Sequence, residues 1–489
     1  MGVVMKTKSV FFLTGRFIND ALSFVVFLLL DFLDFVLCFI FKIIDFIVEA
    51  EWKPCYCSSG REAITRSGKI LLSEKGESKI VCLTSSKLQL EEISDTLYTR
   101  PSTLSEVSKL TVNEIKKLKL EKGFVEKQHP SYKTVRHVGT VRSKFTLNST
   151  IVEMLQGKIR REPSRPVHRW SDCDCSFCAS WIYSSKDTLF FRSQGPKDPR
   201  AAKEDVLFIH GFISSSAFWT ETLFPNFSNS VKSTYRLFAV DLLGFGQSPK
   251  PADSLYTLRE HLDMIERSVL EPHKVKSFHI VAHSLGCILA LALAVKHPGA
   301  VKSLTLLAPP YFPVPKGEQA AQYVMKQVAP KRVWPPIAFG ASVACYYEHI
   351  SRTVCLLVSK NHRVWEFLTK LITRNRVRTF LMEGFFCHTH NAAWHTLHNI
   401  ICGSAGKLEG YLDAVADLKC DVNVIHGSND ELIPVECSHH VKTKIPRARV
   451  KVIDKKDHIT IVVGNQKAFA RELEEIWRNA SGDDKKAGC

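Results

Sequence analysis

The chain has 489 residues, 45% of them hydrophobic and 24% charged, with a formal net charge of +17. That apolar content supports a sizeable core and excludes a predominantly disordered chain. The positive balance favours anionic surfaces such as phospholipid or acidic wall polymers, and with no nucleic-acid module present it makes no case for a nucleic-acid partner.

Residues 1–16 form a basic N-terminus containing Lys6, Lys8 and Arg16, and residues 17–49 are almost continuously apolar. The interruptions are Asp20, Asp31, Asp34, Lys42, Asp45 and Glu49. At about 100° per residue, the later five fall at about 20°, −40°, 40°, −20° and 20° from Asp20, a stripe roughly 80° wide. The segment is long enough to cross a bilayer, where two mid-span aspartates would each cost a few kcal/mol if they faced lipid. Three readings stand: a signal-anchor whose acidic stripe pairs with another helix, an interfacial helix with a wide apolar face, or a long signal sequence cleaved near the first cysteines. Basic residues before the run and Glu49 and Glu51 after it keep the N-terminus cytoplasmic and send the rest outward. Sequons at Asn148, Asn226 and Asn479 agree with export. The expected route is the secretory pathway, with the residues after the run outside the cytoplasm. The stripe hints at helix pairing and leaves the oligomeric state open.

Residues 50–169 read as a basic, partly disordered spacer. Within it, ESKIVCLTSSKLQLEEISDTLYTRPSTL holds a strand and a short helix, LTVNEIKKLKLEKG a basic helical piece, and KIRREPSRPVHR a linker. Of fifteen cysteines, five crowd into Cys55 and Cys57, then Cys173, Cys175 and Cys178. WSDCDCSFCASW has something of a metal knuckle, but its spacing is not that of paired CxxC zinc ligands, so no metal site is expected. Disulfides are expected if the chain is exported, buried thiols if it is not.

From Trp170 short β-branched or aromatic runs alternate with longer amphipathic segments, the signature of a mostly parallel α/β sheet. The expected strands are DTLFFRS, VLFIH (206–210), RLFAVDL (236–242), FHIVAH (278–283), SLTLLA (303–308), VNVIHG (422–427) and VKVID (450–454). They divide the rest into a first core part over 170–308, a helical cap over 309–415, a second core part over 416–478 and a tail over 479–489.

A serine hydroxyl is a poor nucleophile until a histidine takes its proton and a carboxylate orients that histidine. HIVAHSLGCILALAL puts Ser284 on a strand–turn–helix, with Gly286 permitting close packing of the helix and Ala282 standing where such turns usually have glycine. HGSNDELIP sets Asp430 just after VNVIHG, and VIDKKDHIT sets His458 just after VKVID. The order Ser, Asp, His at strand ends makes a Ser284–Asp430–His458 triad, with Glu431 and Asp457 as competing carboxylates. The His210-Gly211-Phe212 turn brings the N–H of Phe212 beside that of Leu285 as an oxyanion hole. His210, Gly211, His283 and Gly286 shape the site, and DLLGFGQSPKP (241–251) shapes the adjacent loop. In the cap, His395 and His398 share a helix face with His388 and His390 nearby, and they read as structural or substrate-lining. No cofactor is expected.

FIHGFISSS, DLLGFGQS, AHSLG, GSNDELIP and KDHITIVVG together resemble the α/β-hydrolase superfamily over residues 180–478. AEWKPCYC, EISDTLYTRP, WSDCDCSFCASW, FWTETLFPNFS and FCHTHNAAWHTLHNII narrow the resemblance to the plant BODYGUARD family, over nearly the whole chain. The resemblance implies an α/β-hydrolase fold with a helical cap behind a hydrophobic N-terminal helix. It also implies a serine hydrolase acting on lysolipid or cutin-type esters at the epidermal cell wall, in cuticle formation. Acyl transfer to an alcohol would use the same triad; an idle scaffold for wall or membrane partners is the third reading, and an intact triad argues against it. An epoxide hydrolase would need a carboxylate where Ser284 stands.

Overall fold

The computed structural model describes residues 2–49, 69–74, 77–82, 87–89, 94, 96, 169–173, 178, 188–198, 202–251, 254–375 and 379–482. Cys55, Cys57, Cys175, the basic piece LTVNEIKKLKLEKG, the linker up to His168 and the Asn148 sequon lie outside them.

Helix α1 runs unbroken over Gly2–Glu49. Its stretch Ile18–Val48 is long and apolar enough to cross a membrane by length and composition. One face, with Ser23, Phe27, Asp34, Cys38, Phe41 and Asp45, is buried, while Phe24, Leu29, Phe32, Phe39 and Ile47 are exposed. In the spacer, β1 (Lys69–Glu74), β2 (Glu77–Cys82) and β3 (Lys87–Gln89) form an antiparallel sheet in the order β1-β2-β3. The stretch 77–104, expected to hold a strand and a short helix, contains both β2 and β3, and β1 precedes it.

The core is a 7-stranded sheet in the order β10-β9-β8-β7-β5-β6-β4. Its members are β4 (Phe191–Gln194), β5 (Glu204–Ile209), β6 (Tyr235–Val240), β7 (Phe278–His283), β8 (Val301–Leu307), β9 (Asp421–Gly427) and β10 (Arg449–Ile453). All neighbours are parallel except the edge pair β4 and β6. β7 is buried from end to end, as a strand covered by helices on both faces must be. On one face lies α2 (Leu285–Lys296), whose residues Leu285 to Ala294 are all buried. On the other, Phe208, Trp219, Phe227 and Trp477 share an apolar cluster.

Between β8 and β9 come α3 (Ala320–Val328), α4 (Pro336–Tyr346), α5 (Glu348–Val358), α6 (His362–Thr373), α7 (Thr379–Phe386), α8 (His390–Thr396) and α9 (Ala405–Asp417). α9 packs against α2 on the sheet, so the helices beyond the core proper are α3–α8.

The acidic stripe of α1 lies against this cap. Asp31 accepts a hydrogen bond from the Tyr347 hydroxyl at 2.8 Å. Asp34 Oδ1 accepts the backbone N–H groups of His349 and Ile350 at 2.9 and 3.0 Å, capping the start of α5 as an anion at a helix N-terminus should. Asp45 takes both terminal nitrogens of Arg352 at 2.7 Å, and the Trp170 indole N–H at 2.6 Å. The helix that the stripe pairs with therefore belongs to the same chain.

Candidate active site

Neighbouring β5 and β7 are in register with Ile209 opposite Ala282, so the turns that follow them emerge side by side. This is where the strand order reverses, since the chain leaves β6 on one side of β5 and re-enters as β7 on the other. Ser284 sits in the turn from β7 to α2 with φ 52° and ψ −122°, a conformation a side-chain-bearing residue rarely adopts. Its N–H donates to the Leu307 carbonyl at 2.8 Å, and its own carbonyl accepts from the Cys287 N–H at 2.8 Å. Two backbone bonds thus hold the strain. Gly286 is required by contact: a Cβ there would lie 2.7 Å from the carbonyl oxygens of both Ile209 and His210. Ala282 is different. It is a fully buried strand residue, opposite Leu306 on β8, so a methyl group fits where no turn geometry demands glycine.

Asp430 and His458 come from the loops after the paired strands β9 and β10, in register with Gly427 opposite Ile453. His458 Nδ1 lies 2.7 Å from Asp430 Oδ2, and the carboxylate is fully buried. Asp430 Oδ1 accepts the N–H groups of Leu432 and Ile433, both at 2.9 Å. His426 Nε2 approaches Oδ2 at 3.4 Å. Burial alone would raise the Asp430 pKa, but the hydrogen bonds from His426, His458 and Ile433 outweigh it and hold the carboxyl well below the usual range. The competing carboxylates have other places. Asp457 Oδ1 accepts from the Ile459 and Thr460 N–H groups of its own turn, and Glu431 is exposed.

His283 Nε2 donates to the His458 carbonyl at 2.9 Å, while its ring stacks on Phe218 with centroids 5.1 Å apart. Burial pushes its pKa down to about 3, so it is a neutral strut under the His458 loop. His210 is another buried strut. Its Nδ1–H donates to the Gly211 carbonyl at 2.7 Å, which leaves Nε2 to accept the Leu242 N–H at 2.9 Å. Burial lowers its pKa as well. A Cβ on Gly211 would stand 2.9 Å from His283 Nδ1 and 3.1 Å from Ser284 Cβ, so this backbone runs directly against the serine. Phe212 follows it, and Leu285 opens α2.

The loop 241–251 is organised by Asp241, which accepts the Ser216 N–H at 2.5 Å and the Gln247 N–H at 2.6 Å. The loop reaches the cap through a bridge between Phe245 and His388. Of the cap histidines, His390, His395 and His398 are buried and His388 is half-buried, and His398 Nδ1 lies 2.9 Å from Thr96 Oγ1. His426 and Asp241 were not singled out from the sequence. His426 stood four residues before the acid, a signal available but unread. For metal, three groups on the described residues come together: Cys173, Cys178 and His362.

Residues 206–333 match the α/β hydrolase fold family model. The chain is 61% identical over 497 residues to the probable lysophospholipase BODYGUARD 3 of Arabidopsis thaliana, covering 98% of this chain and 99% of that one. It is 60% identical over 476 residues to the probable lysophospholipase BODYGUARD 1 of the same plant, covering 96% and 98%. Against the probable lysophospholipase BODYGUARD 4, also of Arabidopsis, identity is 37% over 470 residues, covering 95% and 98%.

Proposed function

The chain belongs to the BODYGUARD family of α/β-fold hydrolases, and from that premise we propose that it cleaves lipid-type carboxylic esters through a Ser284–Asp430–His458 triad. The observation that carries this reading is the 2.7 Å bond between the buried Asp430 carboxylate and His458 Nδ1, on loops that border the strained Ser284 turn. Asp430 fixes the imidazole so that Nε2 takes the Ser284 proton as Oγ attacks the acyl carbonyl. The N–H groups of Phe212 and Leu285 receive the developing oxyanion. The leaving alcohol takes the proton back from His458, and water activated by the same histidine clears the acyl-enzyme.

The relatives' name, probable lysophospholipase, supports a lysolipid as substrate, and a cutin-type hydroxyacyl ester is the second ester class proposed. The exposed apolar face of α1 supports contact with a lipid surface. With Ser23, Asp34 and Asp45 turned onto the cap, we read α1 as lying on the bilayer rather than crossing it or being cleaved away. The proposed setting is the plasma membrane or cell wall, reached through the secretory pathway, in cuticle formation.

The test is fluorophosphonate labelling of the full chain in detergent, comparing wild type with Ser284→Ala, Asp430→Asn and His458→Ala. Labelling of wild type and its loss in the variants supports the triad. A folded wild type that does not label overturns it and favours the scaffold. Product analysis on lysolipids and hydroxyacyl glycerols, with and without added alcohol, then separates hydrolysis from acyl transfer.

A further inference from the structure

We propose that Cys173, Cys178 and His362 bind a zinc ion that fastens the cap helix α6 to the segment leading into the core. The three donor atoms, Sγ, Sγ and a ring nitrogen, all lie within 4.8 Å of one another. Cys178 Sγ is 3.6 Å from His362 Nε2. Zinc–sulfur bonds of about 2.3 Å and zinc–nitrogen bonds of about 2.0–2.1 Å, at a tetrahedral angle, set a sulfur–nitrogen edge of about 3.6 Å. The distance is thus that of a coordination polyhedron.

The histidine is prepared for the role. Its ring is 4% exposed, and Nδ1 faces Glu366 Oε1 at 3.1 Å. Nδ1–H donates to that carboxylate, which leaves the Nε2 lone pair aimed at the sulfur. A carboxylate behind a ligating imidazole orients it and raises its basicity. Two thiolates and an imidazole are soft and borderline donors, a set that selects zinc over magnesium or calcium. Binding displaces the two thiol protons to solvent.

The cysteine segment is also preset on the cap. Lys360 Nζ donates to the Trp170 carbonyl at 2.6 Å, and Arg352 Nε donates to Ser171 Oγ at 3.2 Å. An ion here closes a loop spanning 184 positions, between Cys178 and His362. The sequence offered the two cysteines, but the third ligand stood too far along the chain to be seen with them.

The experiment is elemental analysis of the full chain, purified in detergent without chelator after zinc-supplemented expression. The expected result is about one zinc per chain in wild type and a loss of at least tenfold in Cys173→Ser/Cys178→Ser and in His362→Gln. Glu366→Gln keeps the ligands and weakens zinc affinity about 10–100-fold. If the ligand variants misfold by circular dichroism, Glu366→Gln and a thiolate-to-cobalt charge-transfer band in cobalt-exchanged wild type decide the question. Wild type with less than a tenth of an equivalent of zinc overturns the proposal. So does a disulfide joining any two of Cys173, Cys175 and Cys178, or full zinc retention in the folded ligand variants.

Discussion

Asp430 and Asp45 are both buried aspartates paired with a cation or its equivalent, and they are built in opposite ways. Asp430 is served by N–H groups two and three residues away in its own turn, and by histidines on β9 and on the loop after β10. Asp45 is instead held by side chains far along the chain, Trp170 and Arg352, which stand 125 and 307 positions away. The first arrangement is delivered by the sheet: once β9 and β10 pair, the loops have nowhere else to be. The second exists only if two separately formed helices meet in one register. Damage at the first should cost chemistry and spare the fold, and damage at the second should do the reverse.

The largest expected effect is chemical. Ser284→Ala or His458→Ala should lower kcat by about 10⁴–10⁶-fold, read in an ester-hydrolysis assay, with thermal unfolding unchanged. A large fall in Tm in either variant would erase the contrast between the two regions. Next comes the α1–cap junction. Arg352→Ala leaves Asp45 buried without its counter-ion, an expected loss of about 3–5 kcal/mol, visible as new proteolysis or hydrogen exchange in α1. Asp45→Leu combined with Arg352→Met should recover most of it, while active-site labelling persists in both variants.

Gly286→Ala tests the turn from the stability side. Its Cβ meets two carbonyl oxygens, so about 1–3 kcal/mol should be lost, seen as a lower denaturation midpoint. The most gradual effect is pH-dependent and belongs to the junction. His349 is buried, which opposes its charge, but Asp34, Cys38 and Glu348 outweigh this and raise its pKa from 6.5 to about 10. A raised folded pKa contributes stability in full below the unfolded value of 6.5, and that stability disappears as pH climbs through about 10. Protection of α1 from exchange should therefore decline between those limits and stay flat in His349→Gln.

The same contrast explains what was legible in advance. Strand ends, turn residues and chain order are local, so the positions of Ser284, Asp430 and His458 just after β7, β9 and β10 could be read from short windows, and β7 matched its expected span of 278–283. The stripe on α1 was equally visible, because helical periodicity is local too. Its partners were not. Tyr347, His349 and Arg352 carry no shared signal in the sequence, and only the packing of α5 makes them one surface. The strut role of His283 was hidden for a like reason, since it depends on a carbonyl 175 residues away.

The junction also has a history in time. Asp45 leaves the ribosome 307 residues before the arginine that neutralises it. At about 5–20 residues per second, the acidic helix waits roughly 15–60 s for its counterpart. Throughout that interval its carboxylates need water or some other temporary host. A segment made before the cap is thus among the last to reach its final place, and a pause in translation between the two would prolong the most exposed moment in the protein's life.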